Sequence, residues 1–291
     1  MWRLSHKEDL MPDLPTLVIV CGLCAAAGFV DAVAGGGGLI SLPAYLIAGL
    51  PVHVALGTGK LSSMLGVSVV TWKYARNGFV PWREAVVCVV VSLVASALGA
   101  RAVLLVDPQV LMVALLVVLP LTAVYVLRHG FGKADAAGDE STSPEDATGQ
   151  AVGVVAGEGP APAADGVRRS SRKTMLLVAL VAALMGFYDG FYGPGSGTFM
   201  LLLLTGLARL TLEESNGICK VVTLASNFAG LVVMLAGGAV DVPLGLLSGV
   251  FLVLGSYLGA RSFSQGGAKV TQPMILVVVT LFFVKVLAEL I

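Results

Sequence analysis

The sequence predicts an all-α integral membrane protein made of two homologous, inverted-topology repeats, each with about five apolar segments and a helix broken at a glycine-rich motif. Three observations predict it. Charge is scarce: 12% of residues are charged and 57% apolar, with a mean hydropathy of +0.92, whereas a soluble globular chain carries about a quarter charged residues. Uncharged windows such as Ala32–Gly59, Gly190–Ala208, Val221–Val240 and Val242–Ala260 reach the ~17–25 residues a spanning helix needs. The halves also repeat. At one constant offset Lys60 matches Lys220, Gly78 matches Gly238, Val80 matches Val240, and LGAR at 98–101 matches LGAR at 258–261; upstream, GFVDAVAG at 28–35 matches GFYDGFYG at 186–193. Finally, the second apolar segment of each half is too short to span alone at ~1.5 Å per residue.

In chain order, residues 1–13 form a tail that mixes acids and bases. No small-residue cleavage site follows Leu17–Val20, so the first apolar segment is retained rather than removed as a signal peptide. The first repeat, 14–128, has apolar segments at 14–34, 38–50, 54–77, 84–104 and 109–127. Residues 129–173 are rich in Gly, Ala, Pro, Ser and acids; they cannot bury enough apolar area to offset their ordering entropy and read as a disordered linker. The second repeat, 174–291, has segments at 174–192, 197–208, 214–237, 242–261 and 271–291. The segments 38–50 and 197–208 are the half-helices.

Charge placement orients the repeats. Arg128, Lys133, Arg168, Arg169, Arg172 and Lys173 flank the linker and make it cytoplasmic by the positive-inside rule. Counting back places the Lys73–Arg83 turn inside. Counting forward places Gly237–Asp241, which has no Lys or Arg, outside. Corresponding turns thus face opposite ways, with Arg101, Arg3 and Lys7 running against the count, and an inverted repeat follows if the short segments cross.

A helix ending near Ala34 and another starting near Leu39 leave backbone N–H groups without carbonyl partners. At membrane depth such a break is tolerated only where it lines a cavity or is buried in protein. The free amides and the helix dipole favour an anion, and Gly35, Gly36, Gly37 and Gly38 admit it closely. Gly193–Gly197 repeats the device: Pro194 ends one helix, Gly195 and Gly197 free the backbone, and Ser196 and Thr198 add hydroxyl donors or N-caps. The competing reading is that glycines are close-packing faces, which suits GLCAAAG and LGAR better than four consecutive glycines.

Lys60 and Lys220 lie several residues into uncharged segments, where an unpaired ammonium costs roughly 2.5–3.5 kcal/mol or more. A bound anion relieves that cost; snorkelling to an interface is the alternative. GTGK at 57–60 lacks the spacing of a phosphate-binding P-loop. Asp31 and Asp189 precede the two breaks and read equally as protonatable or cation-pairing carboxylates, or as structural partners that pin the breaks or neutralise the lysines. Arg101 and Arg261 read as interface anchors and His53 as a loop residue. Cys21, Cys24, Cys88 and Cys219 read as packed thiols. No catalytic triad, metal-ligand set, nucleotide motif or nucleic-acid patch emerges, so no enzymatic activity, cofactor, metal or nucleic-acid partner is expected; the lipid bilayer is the expected surrounding, and a homodimer stays open.

GFVDAVAGGGGLISLPAYLIAGLPVHVALGTGK and GFYDGFYGPGSGTFMLLLLTGLARLTLEESNGICK resemble the two repeats of the sulfite exporter TauE/SafE family, whose members carry an aspartate before a glycine-rich break and a lysine downstream. The resemblance covers both apolar halves and excludes the linker; Gly59 stands where the family often has asparagine, and the linker is long. It implies a multi-pass transporter of the bacterial inner membrane for small sulfur-containing anions such as sulfite, sulfoacetate or related organosulfonates, usually an exporter.

Together these readings predict alternating access, with the anion near the midplane between Gly35–Gly38 and Gly195–Thr198, and with Lys60 and Lys220 as countercharge. An inside-negative potential drives a monoanion outward by about 2.3 kcal/mol per 100 mV, so export needs no coupling. Import would need it, with Asp31 or Asp189 as proton or sodium candidates. An anion channel, a coupled importer and an intramembrane enzyme are the alternatives.

Overall fold

The computed structural model describes residues 13–107, 109–111 and 172–266. These hold helices α1 (Leu14–Ala34), α2 (Gly38–Ile47), α3 (Val52–Arg76) and α4 (Trp82–Leu104) in the first half, and α5 (Arg172–Phe191), α6 (Ser196–Gly206), α7 (Leu212–Ala236) and α8 (Val242–Gly266) in the second. No strand occurs among the described residues. Six of the helices are long and apolar enough to cross a membrane; α2 and α6 are shorter. The fifth apolar segment of the second half, all but residues 109–111 of that of the first, all but Asp13 of the N-terminal tail and nearly all of the linker lie outside the described residues.

Helix limits follow local chemistry. Pro15 sits in the first turn of α1, where a missing N–H costs nothing, and Gly35 at φ 75° closes its C-terminus through a bond to Asp31 O. Thr211 and Glu214 form a reciprocal capping box at the start of α7. His53, read from sequence as a loop residue, instead lies in the first turn of α3 with Nε2 3.0 Å from Val103 O. Pro51 takes the N-cap position and starts the helix earlier than the apolar pattern implied.

Packing crosses between the halves. α1 lies against α8 and α4 against α5, while α3 packs on α8 and α7, and α4 on α7. Exchanging the two halves maps these pairings onto one another, as it does α1·α2 onto α5·α6 and α2·α3 onto α6·α7. One apolar core joins Val20 and Tyr45 to Leu201 and Leu252. Outward stripes at helical spacing, Val86, Val90, Val94 and Leu98 on α4 and Leu246, Val250, Leu254 and Leu258 on α8, are exposed. Faces of this extent belong against lipid rather than water.

Close approach at the two equivalent contacts depends on glycine. A Cβ added at Gly255 would lie 1.8 Å from Ala25 O, and one at Gly259 2.4 Å from Phe29 O; on the other side, Gly99 meets Phe187 O and Gly190 meets Ser96 O. The LGAR glycines are therefore packing residues. Gly255→Ala is expected to destabilise by about 1–3 kcal/mol, read as a lowered thermal midpoint in detergent. Gly22→Ala on α1, where nothing lies within 4 Å, is the neutral control.

Candidate functional site

The C-terminal turn of α1 is buried inside the bundle, so its carbonyls cannot turn to water and must be satisfied within the protein. Four side chains from three other helices do this. Tyr74 Oη donates to Ala32 O at 2.8 Å, Asn216 Nδ2 to Val33 O at 3.4 Å, and Thr198 Oγ1 to Ala34 O at 2.9 Å, while Lys220 Nζ donates to Asp31 O. In the second half Lys60 Nζ reaches Asp189 O at 2.6 Å. A lysine at a helix C-terminus also meets the negative end of the dipole.

Each lysine continues to the carboxylate of the same residue. Lys60 Nζ is 3.4 Å from Asp189 Oδ2 and Lys220 Nζ is 3.1 Å from Asp31 Oδ2. Both pairs join opposite halves, lysine of one to aspartate of the other. The stem of Lys60 passes α7 at Gly230, where an added Cβ would lie 2.7 Å from Lys60 Cδ. Each aspartate is thus ion-paired with the lysine of the other half.

The two carboxylates are held unequally. Asp189 accepts from Ser196 Oγ at 2.7 Å on Oδ1 and from Ser226 Oγ on Oδ2, in addition to Lys60. Asp31 accepts only from Lys220 among the described residues. The positions that repeat Ser196 and Ser226 in the first half are Gly38 and Gly66, which have no hydroxyl to offer.

The helix starts beyond the breaks carry free amides. Leu39 N and Ile40 N are engaged by Gly36 O and Gly37 O, and Ser196 N by Gly193 O. Among the described residues no hydrogen bond is donated by the amides of Gly36, Gly37 and Gly38, nor by those of Gly195, Gly197 and Thr198. Ser196 and Thr198 do not cap α6; Gly195 occupies the N-cap position without a side-chain bond. Their hydroxyls go instead to the Asp189 carboxylate and to Ala34 O, since a charged or orphaned acceptor binds a hydroxyl more strongly than a solvent-like turn. Gly35 and Gly197 touch backbone to backbone where the breaks meet: a Cβ on Gly35 would lie 2.6 Å from Gly197 C.

A cavity of about 60 Å³ lies between these elements, room for roughly four to six waters. Asp31, Gly35, Gly38, Lys60, Asp189, Ser196 and Gly197 stand on its wall. Lys220, fully buried behind Asp31, does not line it, nor do Gly36, Gly37, Gly195 and Thr198. The cavity adds residues that the motif reading missed. Ser63 and Thr223 follow the two lysines by three residues, and Val67 and Asn227 by seven, placing each set on one helix face. That spacing was the available signal. Tyr192 also lines the cavity; it is 4% exposed, and its hydroxyl has no hydrogen-bond partner among the described residues.

Six apolar helices around a small cavity, with Lys60 and both aspartates on its wall and Lys220 paired to Asp31 outside it, define a multi-pass membrane protein with an internal cavity. The family model described as sulfite exporter TauE/SafE matches residues 19–286, and the chain belongs to that family of membrane transporters. It is 33% identical over 283 residues to a Sinorhizobium protein named "Probable membrane transporter protein ORF9", covering 97% of this chain and 95% of the relative. A "Probable membrane transporter protein" of Haemophilus influenzae is 29% identical over 92% of each chain. The Escherichia coli K12 "Probable membrane transporter protein YfcA" is 29% identical over 90% of this chain and 86% of the relative. No solved structure matches.

Proposed function

We propose that this protein exports small sulfur-containing anions, sulfite, sulfoacetate or related organosulfonates, across the bacterial inner membrane by alternating access. The anion rests in the cavity between two helix breaks belonging to inverted-topology repeats, 14–128 and 174–291, joined by a cytoplasmic linker at 129–173. The amides of Gly38 and Gly197, which reach the cavity wall, supply donors at the two breaks, those of Gly36, Gly37, Gly195 and Thr198 lie beyond it, and Gly35 and Gly38 keep the approach open. Lys60 presents positive charge at the wall, and Lys220 holds the first break from behind. Ser196 orients Asp189. The swap-symmetric packing of the halves and the family membership support this arrangement.

The observation that carries the reading is Tyr192. A buried hydroxyl without a partner costs about 1–3 kcal/mol; that of Tyr192 has none among the described residues, and Tyr192 and Lys60 both belong to the cavity wall. A ligand oxygen satisfies the hydroxyl. Tyr192→Phe is therefore expected to leave the thermal midpoint unchanged or raised while weakening anion binding. A hydrogen bond to a charged group is worth about 1.5–3 kcal/mol, or about tenfold or more in affinity. Exchange of radiolabelled sulfite and sulfoacetate in proteoliposomes measures it; unaltered half-saturation in Tyr192→Phe, or no exchange in wild type, would refute the reading.

A further inference from the structure

Resting on the reading of this cavity as an anion site, we propose that a proton is the co-substrate: the carboxylate of Asp31 takes up one proton as the anion binds, and the two cross together. The fixed charges around the cavity already cancel, because Lys60 pairs with Asp189 and Lys220 with Asp31. A monoanion entering alone would leave one net negative charge in a desolvated site and stand directly beside a carboxylate, an arrangement that burial makes costly. A proton arriving with it restores neutrality.

The structure selects which carboxylate takes the proton. Both carboxylate oxygens of Asp189 are already taken by donors, Oδ1 by Ser196 and Oδ2 by Ser226 and Lys60. Asp31 has Lys220 alone, and its side chain is 14% exposed against 9% for Asp189. Glycine at 38 and 66 removes both hydroxyls that the other half provides. The other groups facing Asp31 bring no countercharge of their own. From α7 come Lys220 and Cys219, and from α3 Tyr74, whose hydroxyl is spent on Ala32 O; Cys219 and Tyr74 are uncharged at neutral pH. Lys60 and Asp189 stand across the cavity as a pair. α6 carries no titratable group, and α2 and α8 carry only Tyr45, held by Ser62 and Ser248, and the exposed Tyr257 and Arg261.

The step balances simply. A proton from the aqueous side that the anion enters from forms an O–H bond on the Asp31 carboxyl. That O–H becomes a donor toward the anion, Lys220 keeps its bond to Asp31 O, and both ions leave on the opposite side. The loaded carrier is electrically neutral. Voltage then does not drive the anion outward; its own concentration gradient does, opposed by any inward proton gradient.

The test uses the full chain in proteoliposomes with methanesulfonate, a monoanion at every pH used, and an internal pH dye. Expected in wild type are one proton moved per anion in the same direction, net flux insensitive to a potassium-diffusion potential, and an apparent Kd that rises with pH. In Asp31→Asn, whatever exchange remains is expected to be pH-independent, to move no proton and to follow the imposed potential. Wild-type flux that tracks voltage and moves no proton, while exchange proceeds, overturns the proton and leaves the anion site standing. Loss of proton movement in Asp189→Asn but not in Asp31→Asn overturns the assignment to Asp31. If only labelled sulfite exchanges, wild type and Asp31→Asn are compared with sulfite, and identical pH profiles overturn the proposal. Exchange of neither anion overturns the site and the proton together.

Discussion

Lys220→Ala is expected to cost far more folded protein than any other change to a charged side chain. The ammonium is fully buried, pairs with Asp31 Oδ2 at 3.1 Å and also satisfies Asp31 O at the end of α1. Its removal takes the one donor from a half-buried carboxylate among the described residues, and one of two donors from Asp31 O, which keeps Gly35 N. Breaking a buried pair by removing one partner costs about 3–5 kcal/mol, a fall in thermal midpoint on the order of 10 °C for a chain of this size. Replacing both partners, Lys220→Met with Asp31→Ala, is expected to recover most of that loss, because an apolar substitute for an ion pair is often near neutral. A Lys220→Ala midpoint equal to wild type would refute the pairing. The double variant is expected to be stable and yet transport-deficient, which separates the fold from the site.

That contrast also shows how far the residues could be read in advance. The limits of α1 and α6 were legible because proline and glycine mark them locally, and the apolar windows place the spanning helices because a bilayer imposes one length. His53 was misread because an N-cap at Pro51 adds a turn that hydropathy alone does not reveal. Asp31, Asp189, Lys60 and Lys220 stood out as isolated charges in apolar sequence, but which carboxylate meets which lysine depends on how α3 and α7 cross the opposite half. Spacing along one chain does not contain that information. Ser63, Thr223 and Asn227 shared a helix face with the lysines and were within reach of the sequence. Tyr192 was not, since a buried hydroxyl matters only once its lack of partners is known.

Gly35→Ala is expected to abolish folded protein, and two companion substitutions separate its causes. Gly35 sits at φ 75°, where an alanine costs about 1–3 kcal/mol of backbone strain. An added Cβ would also lie 2.6 Å from Gly197 C and 2.9 Å from Gly197 Cα and Thr198 N. Those neighbours are backbone atoms of α6 and cannot rotate away, so the two breaks would have to part. Gly49 has nearly the same conformation, φ 83°, with nothing within 4 Å; Gly49→Ala therefore reports strain alone. Gly197 is helical, and a Cβ there would lie 2.6 Å from Gly35 O; Gly197→Ala reports the collision alone, about 1–3 kcal/mol or more for overpacking. The expected order of thermal midpoints is wild type, then Gly49→Ala, then Gly197→Ala, with Gly35→Ala lowest or unfolded. If Gly35→Ala matches Gly49→Ala, the breaks do not touch and the cavity between them is not closed by backbone. If it falls below both, the contact at Gly35 and Gly197 is what fixes the spacing of the two helix starts, and with it the size of the cavity between them.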